Sequence, residues 1–457
     1  MDRGEAVTET VARGARRGAL AVAPLMALVV ILVAAFAAAA APAIAAGSLP
    51  AGEPPAVLGV PVEFLLFAAA LLGIALFHRQ ALAASLLGLA AITTFKLRFT
   101  GFKAGAGLAG LAGHLAQEWV VLANLFCLLM GFALLARHFE ESKAPEVLPA
   151  LLPDDWTGGL SLLALVFVLS SFLDNIAAAL IGGTMARAVF GGRVHVGFLA
   201  AIVAAANAGG AGSVLGDTTT TMMWIDGVSP FTVLEAYVAA VVALAAFGVP
   251  AALQQQAHRP ITKDMRPGVR VDPVRLAIVG IVLAAAIAAN VVSNLFFPDL
   301  LERLPVIGLA VWAAIALTAP LRRPDWAVMP ETVKGTLFLL ALVTAASMMP
   351  VETLPDAAWP TAFGLGFVSA VFDNIPLTAL ALRQGGYDWG FVAFAVGFGG
   401  SMIWFGSSAG VALSNMYPEA RSVGRWLTAG WPVAVAYVVG FFVMLALVGW
   451  HPDARHR

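Results

Sequence analysis

Apolar stretches of about 20 residues recur from one end of the chain to the other, and each suffices to cross about 30 Å of hydrocarbon. Candidate spans fall near residues 19–46, 57–76, 80–95, 117–136, 159–190, 195–225, 230–253, 273–293, 304–320, 334–350, 361–384, 388–417 and 424–449. A membrane barrel requires alternating segments of about 10 residues, and the chain has no such pattern. The expected class is an all-α polytopic membrane protein with about 11–13 membrane segments. Four spans, at 159–190, 195–225, 361–384 and 388–417, are interrupted by polar or glycine-rich positions.

The interruptions come in two matching sets. Ser170-Ser171-Phe172-Leu173-Asp174-Asn175-Ile176 is followed by Gly209-Gly210 and by Gly216-Asp217-Thr218-Thr219-Thr220-Thr221. Ser369-Ala370-Val371-Phe372-Asp373-Asn374-Ile375 is followed by Gly399-Gly400 and by Gly406-Ser407-Ser408. Leu152-Pro153-Asp154 with Trp156 precedes the first set, and Leu354-Pro355-Asp356 with Trp359 precedes the second. Matches in one order point to an internally duplicated transporter. The arm from Leu160 to Leu173 spans roughly 21 Å as helix, too short to cross. Two such arms meeting at a polar tip predict a re-entrant hairpin near 159–190, and a second near 361–384. Glycine lowers the cost of leaving helical geometry, so discontinuous helices are expected near 195–225 and 388–417. Non-helical backbone at that depth is tolerated where protein buries it or water reaches it.

Composition narrows the function classes. Of 457 residues, 60% are hydrophobic and 12% charged, with mean hydropathy +0.89. The net charge of −1 gives no global field for nucleic acid. A single cysteine, Cys127, excludes an internal disulfide and a cysteine-rich metal site. No phosphate-binding Gly-x4-Gly-Lys-Ser/Thr loop is present, which argues against an ATP-driven pump. An intramembrane aspartyl protease would require a dyad of aspartates. Leu215-Gly216-Asp217 lacks the further glycine such enzymes use, and a protease leaves the duplication unexplained, so no enzyme activity and no cofactor are expected.

Arg13, Arg16 and Arg17 precede an apolar run from Ala19 to Ala46, read as a retained first transmembrane helix rather than a cleaved signal. The polar stretch 254–272, with Arg259, Lys263, Arg266 and Arg270 against Asp264 and Asp272, is placed in the cytoplasm by its positive charge. The expected organisation is an N-terminal segment (1–56), a first repeat (57–253), a linker (254–272), a second repeat (273–449) and a tail (450–457).

Carboxylates at bilayer depth are functional candidates by default. Asp174 and Asp373 have a structural reading as helix N-caps, which Asp favours, and cation binding is compatible with it. Asp217 is the strongest candidate for coupling: it follows Gly216, precedes four threonines and lies at a predicted break. Hard cations take carboxylate, carbonyl and hydroxyl oxygens, and Asn207, Ser213, Thr218 and Thr219 supply these nearby. A sodium site built on Asp217, Asp174 and Asp373 is the metal expectation, and a proton competing with sodium for one carboxylate suffices for antiport. Thr220 and Thr221 are read as bonding back to their own helix. His114 and Glu118 are expected at the interface, and His138, Glu140 and Glu141 on an amphipathic interfacial segment. Arg187 and Arg383 are expected to snorkel from arm ends. Trp156, Trp224, Trp359 and Tyr417 are expected in aromatic belts.

The run Asn207-Ala208-Gly209-Gly210-Ala211-Gly212-Ser213-Val214-Leu215-Gly216-Asp217-Thr218-Thr219-Thr220, preceded by Asp174-Asn175, resembles the ion transporter superfamily. Within it the run is most similar to the NhaD-type sodium/proton antiporters, as is His138-Phe139-Glu140-Glu141-Ser142 with Pro145. Citrate and dicarboxylate transporters and arsenite permeases share that architecture. The resemblance covers about residues 57–449. It implies two inverted repeats, each with scaffold helices, a hairpin and a broken helix, in a homodimer of the inner membrane that moves its transport domains as an elevator. The hairpin-tip pairs map onto Asp174/Asn175 and Asp373/Asn374, and the broken-helix loops onto Asn207–Thr220 and Gly399–Ser408. Sodium/proton antiport is the implied activity, with lipid and a small ion as partners. Coupled transport of citrate, dicarboxylate, arsenite or another oxyanion is the alternative. Ser407 stands where the first half has Asp217, so the site is not chemically symmetric.

Overall fold

In the computed structural model, residues 55–57, 59–76, 80–147, 152–261, 270–297, 300 and 303–453 are described. The expected first span at 19–46 lies outside them, as do residues 262–269 of the expected linker. Among the described residues sixteen helices have eight residues or more. They are α1 (Val62–Leu76), α2 (Ala81–Phe95), α3 (Gly107–Glu141), α4 (Trp156–Ser170), α5 (Asn175–Val189), α6 (Val196–Ala211), α7 (Thr218–Ile225), α8 (Ala236–His258), α9 (Pro273–Phe296), α10 (Val306–Thr318), α11 (Met329–Ser347), α12 (Trp359–Ser369), α13 (Asn374–Gln384), α14 (Trp389–Gly399), α15 (Ser408–Met416) and α16 (Val423–Leu447). The protein is an all-α polytopic membrane protein, and among the described residues six helices are long and apolar enough to cross a bilayer. The interrupted regions hold the short ones: α4 and α5 have 15 residues each, and α12 and α13 have 11 each. These lengths give roughly 22 and 16 Å at 1.5 Å per residue, short of a crossing.

Two compact units divide the described chain. The smaller runs up to His114 and includes Met348–Pro350. Within it α1 packs on α2, and a Cβ at Gly88 would overlap Ala70. His114, expected at an interface, is instead buried against the Phe102 ring.

The larger unit is built around α6 and α14. Every residue of α14, and every residue of α6 from Gly197 to Ala211, is buried, as befits a helix apolar on all faces. Helix α8 lies along α16 and also packs on α4 and α6. Alanine and glycine on α6 let its neighbours approach closely. Corresponding contacts recur in the two halves. Ser170 Oγ donates to Ala206 O at 2.5 Å, and Ser369 Oγ to Val396 O at 2.7 Å. A Cβ at Gly209 would overlap Phe167 O, and one at Gly399 would overlap Gly366 O. The second segment of each broken helix packs on the hairpin of the opposite half: α15 on α5, and α7 on α13.

An ionic cluster closes one end of this unit. Arg137 bonds Asp325 and Glu140, both at 2.9 Å, and Arg275 meets Glu141 at 2.6 Å. Arg322 donates to Asp272 at 2.8 Å, and Asp272 N donates to Ser142 O, tying the end of the linker to the end of α3. The segment at His138–Glu141 is the last turn of α3 and takes part in this ion network. Three further expectations are corrected. Arg383 does not snorkel: its Nε donates to Ser347 O at 3.1 Å and its guanidinium pairs with Glu118 at 2.9 Å. Trp224 and Tyr417 are buried rather than in a belt. The Tyr417 hydroxyl reaches across the halves to donate to Gly183 O at 2.8 Å.

Two outcomes are expected. Gly209→Ala forces the hairpin off the broken helix and should destabilise the protein by about 1–3 kcal/mol, the usual cost of overpacking. Gly364→Ala, whose Cβ would meet nothing within 4 Å, should be neutral in the same thermal unfolding assay. The Arg322 guanidinium beside Asp272 holds that carboxyl below the usual carboxylate range. Its contribution is therefore present above the unfolded value of about 3.9 and is lost as pH falls through the depressed folded value. Acid unfolding of Asp272→Asn should lack this component, which paired melts at pH 6 and pH 3 (about three units apart, spanning the carboxylate range) would reveal.

Candidate functional site

Four of the helices in the larger unit begin around the breaks, and each of these is capped by a side chain. Asp174 Oδ1 accepts from Ile176 N at 2.9 Å and Asp373 Oδ1 from Ile375 N at 3.1 Å. Their backbones are nearly superimposable, with φ/ψ of −51°/141° and −54°/141°. Asp217 Oδ1 caps α7 through Thr219 N at 3.1 Å, and Ser407 Oγ caps α15 through Gly410 N at 3.3 Å. The N-cap reading of the aspartates is thus correct geometrically. A cap uses one carboxylate oxygen and leaves the second free for other work.

Those second oxygens differ. Asp373 Oδ2 accepts from Ser408 Oγ at 3.2 Å, within its own half. Asp217 Oδ2 faces the opposite half, where Asn374 Nδ2 approaches at 3.4 Å. Asp217 is 2% exposed, and both Asp174 and Asp373 lie within its electrostatic reach. The halves are joined a second time through Asn207. Its Oδ1 accepts from Asn175 Nδ2 at 3.1 Å, while its Nδ2 donates to Ser401 Oγ at 2.9 Å and Ser407 Oγ at 3.1 Å. Both hairpin-tip asparagines therefore address the first broken helix.

The structure brings together Asn175, Asn207, Asp217, Asn374 and Ser407 by direct hydrogen bonds, and places Asp174, Asp373 and Ser408 around them. Thr219 is wholly buried, with its side chain directed to the Asp217 carboxylate. Thr218 is buried in the same first turn. Ser213 points elsewhere: its hydroxyl donates to Ser171 O at 2.6 Å and pins the hairpin turn. Thr220 and Thr221 both donate back to Asp217 O at 2.9 Å and also across the break, to Ser213 O and Val214 O. Among the described residues no three His, Cys, Asp or Glu side chains are grouped to hold a metal ion. A cation here would take one carboxylate together with amide and hydroxyl oxygens.

Two participants escaped sequence reasoning. Ser401 lies two residues past Gly399, and only its donor on the other half identifies it. Tyr237, on α8, donates to Gly209 O at 3.2 Å, and its ring lies where a Cβ at Gly212 would be. A tyrosine within the apolar run of α8 was the available signal.

Proteins of known activity resemble the chain at modest identity. It is 29% identical over 347 residues to Sodium/proton antiporter 1 of Arabidopsis thaliana, covering 67% of this chain and 57% of that protein. It is 27% identical to Sodium/proton antiporter 2 of the same plant, over 55% of this chain and 67% of the relative. The chain is similar to proteins named as sodium/proton antiporters, an NhaD protein among them. The Na(+)/H(+) antiporter NhaD of Vibrio parahaemolyticus is 29% identical over 304 residues, 54% of this chain and 71% of its own length. The chain thus spans a little over half the length of the first of these relatives. No family model matches it.

An antiporter relative with a broken-helix site should depend on its polar interlock for stability. Asn207→Leu leaves Asn175, Ser401 and Ser407 without their shared partner, and each orphaned buried group costs about 1–3 kcal/mol. A melting temperature in detergent within 1 °C or so of the unaltered protein, well inside the shift such a loss produces, would contradict the interlock.

Proposed function

We propose that the chain is a secondary active transporter of the cytoplasmic (inner) membrane that exchanges sodium for protons. The observation that carries this reading is the Asp217 carboxylate. One oxygen caps α7; the other is buried between halves, opposite Asn374, with the buried Thr219 hydroxyl close to the carboxylate. A carboxylate in such surroundings keeps its charge only with a compensating partner. Sodium held by carboxylate, amide and hydroxyl oxygens is one such state, and the protonated acid is the other. Because one oxygen cannot serve both, each ion displaces the other, and alternating access to the two sides then yields antiport.

In this reading residues 57–253 and 273–449 are inverted repeats, the α4–α5 and α12–α13 pairs are re-entrant hairpins, and the hairpins with the broken helices move as an elevator within a homodimer. Half-helix ends near the bilayer midplane are the usual ion sites of such transporters. Transport of an anion is less well supported. Arg383 is engaged by Glu118 and Ser347 O, and Arg187 is exposed, so neither guanidinium serves the site.

Proteoliposomes with an imposed pH gradient, screened with sodium, lithium, citrate and arsenite, test the proposal. Sodium should collapse the gradient, and citrate and arsenite should not. Asp217→Asn should lower sodium-dependent exchange by roughly 100-fold or more, the scale of 3–5 kcal/mol for removing one partner of a buried charge pair. Exchange retained in Asp217→Asn would exclude this carboxylate as the coupling group.

A further inference from the structure

The two broken helices share a register set by their paired glycines, and on that register one position before the break differs in a way that bears on the caps. Counting back from Gly209-Gly210 and Gly399-Gly400, Asn207 on α6 corresponds to Gly397 on α14. The caps correspond as well, Asp217 with Ser407. In one half the Asn207 amide fills the space before the partner cap and donates to Ser407. In the other, the backbone of Gly397 faces Asp217 with no side chain between. A Cβ there would stand 3.5 Å from Asp217 Oδ2 and 3.4 Å from Ala211 Cβ.

We infer that Gly397 is a specificity-determining position, keeping one side of Asp217 Oδ2 clear for a hydrated or oxygen-coordinated sodium ion. It rests on the sodium/proton exchange proposed above. The halves thus divide the labour: the Asn207–Ser407 pair is a closed structural contact, and the Asp217–Gly397 pair is an open one. The buried Thr219 hydroxyl lies beside the same carboxylate and adds a neutral oxygen to the site. Selectivity among hard cations follows cavity size and ligand number. A methyl group in van der Waals contact with Oδ2 narrows the site at the expense of the larger ion, so it penalises sodium more than lithium.

The test is Gly397→Ala in the full chain, reconstituted in proteoliposomes, with sodium and lithium concentration dependence measured beside cation-induced thermal shifts of the purified protein. The expected result is an increase of about tenfold in half-saturating sodium, the effect of roughly 1.4 kcal/mol, with lithium changed less than about threefold, or roughly half that free energy. The double variant Ala211→Gly/Gly397→Ala removes the neighbouring methyl and keeps the new one beside Asp217. Its sodium-to-lithium ratio should shift the same way, and it gives the reading should the single variant fold poorly. Equal changes for both ions, or an unaltered ratio in the double variant, would overturn the inference. An unaltered protein that gives no sodium response at all counts instead against the exchange reading.

Discussion

A helix that starts in the interior of a membrane protein exposes N–H groups that neither water nor a neighbouring turn can satisfy. Four such starts, at Asn175, Thr218, Asn374 and Ser408, lie around the breaks, and another, at Trp389, is buried as well. Each start takes an oxygen from the residue before it: Asp174, Asp217, Asp373, Ser407 and Asp388. A hydroxyl closes a helix start about as well as a carboxylate, as Ser407 demonstrates, so capping alone does not require the charge on Asp217.

Close approach makes the rest possible. Gly209 and Gly399 bring each broken helix against the backbone of its own hairpin, at Phe167 O and Gly366 O. The breaks are then filled from within the protein, by Ser213 on Ser171 O, Thr220 and Thr221 on the loop carbonyls, and Tyr237 on Gly209 O. Polar groups that would be costly in lipid are hydrogen-bonded. Because α7 packs on α13 and α15 on α5, the cap of one half looks at the hairpin tip of the other. Duplication alone would have produced two separate sites; the crossing produces one.

Much of this was legible in the chain. Asp-Asn inside apolar sequence, followed by Gly-Gly, fixed the places where helices stop, because a carboxylate and paired glycines both oppose an uninterrupted span. The cap role of Asp174 and Asp373 followed from residue type and position. What the pattern did not carry was partner choice across the halves. Ser401, Asn207 and Ser407 meet only after α6 and α14 pack side by side, and Arg383 finds Glu118 from the far end of another helix. Ser213 shows the converse. Its type and place nominated it for the site, yet local backbone geometry turned its hydroxyl to Ser171. Trp224 and Tyr417 misled for a related reason: proximity to a helix end marks a belt only when that end faces lipid, and these ends are inside the protein.

The departure from symmetry is the part that carries function. Had both caps been serine, the interface would be a pair of neutral amide–hydroxyl contacts with nothing to exchange. Had both been aspartate, two buried carboxylates would repel across the same small space, in addition to Asp174 and Asp373 nearby, and full ionisation would be opposed by all four. One aspartate against one serine leaves Asp217 Oδ2 between the halves, where it faces Asn374, a donor from the other half of the chain. The Asn374 amide at 3.4 Å is a long contact for a hydrogen bond to a carboxylate; charge-assisted bonds run about 2.7–2.9 Å. A weak partner is easily displaced. In the exchange proposed above, it would hold the carboxylate in place between occupants without competing strongly with them.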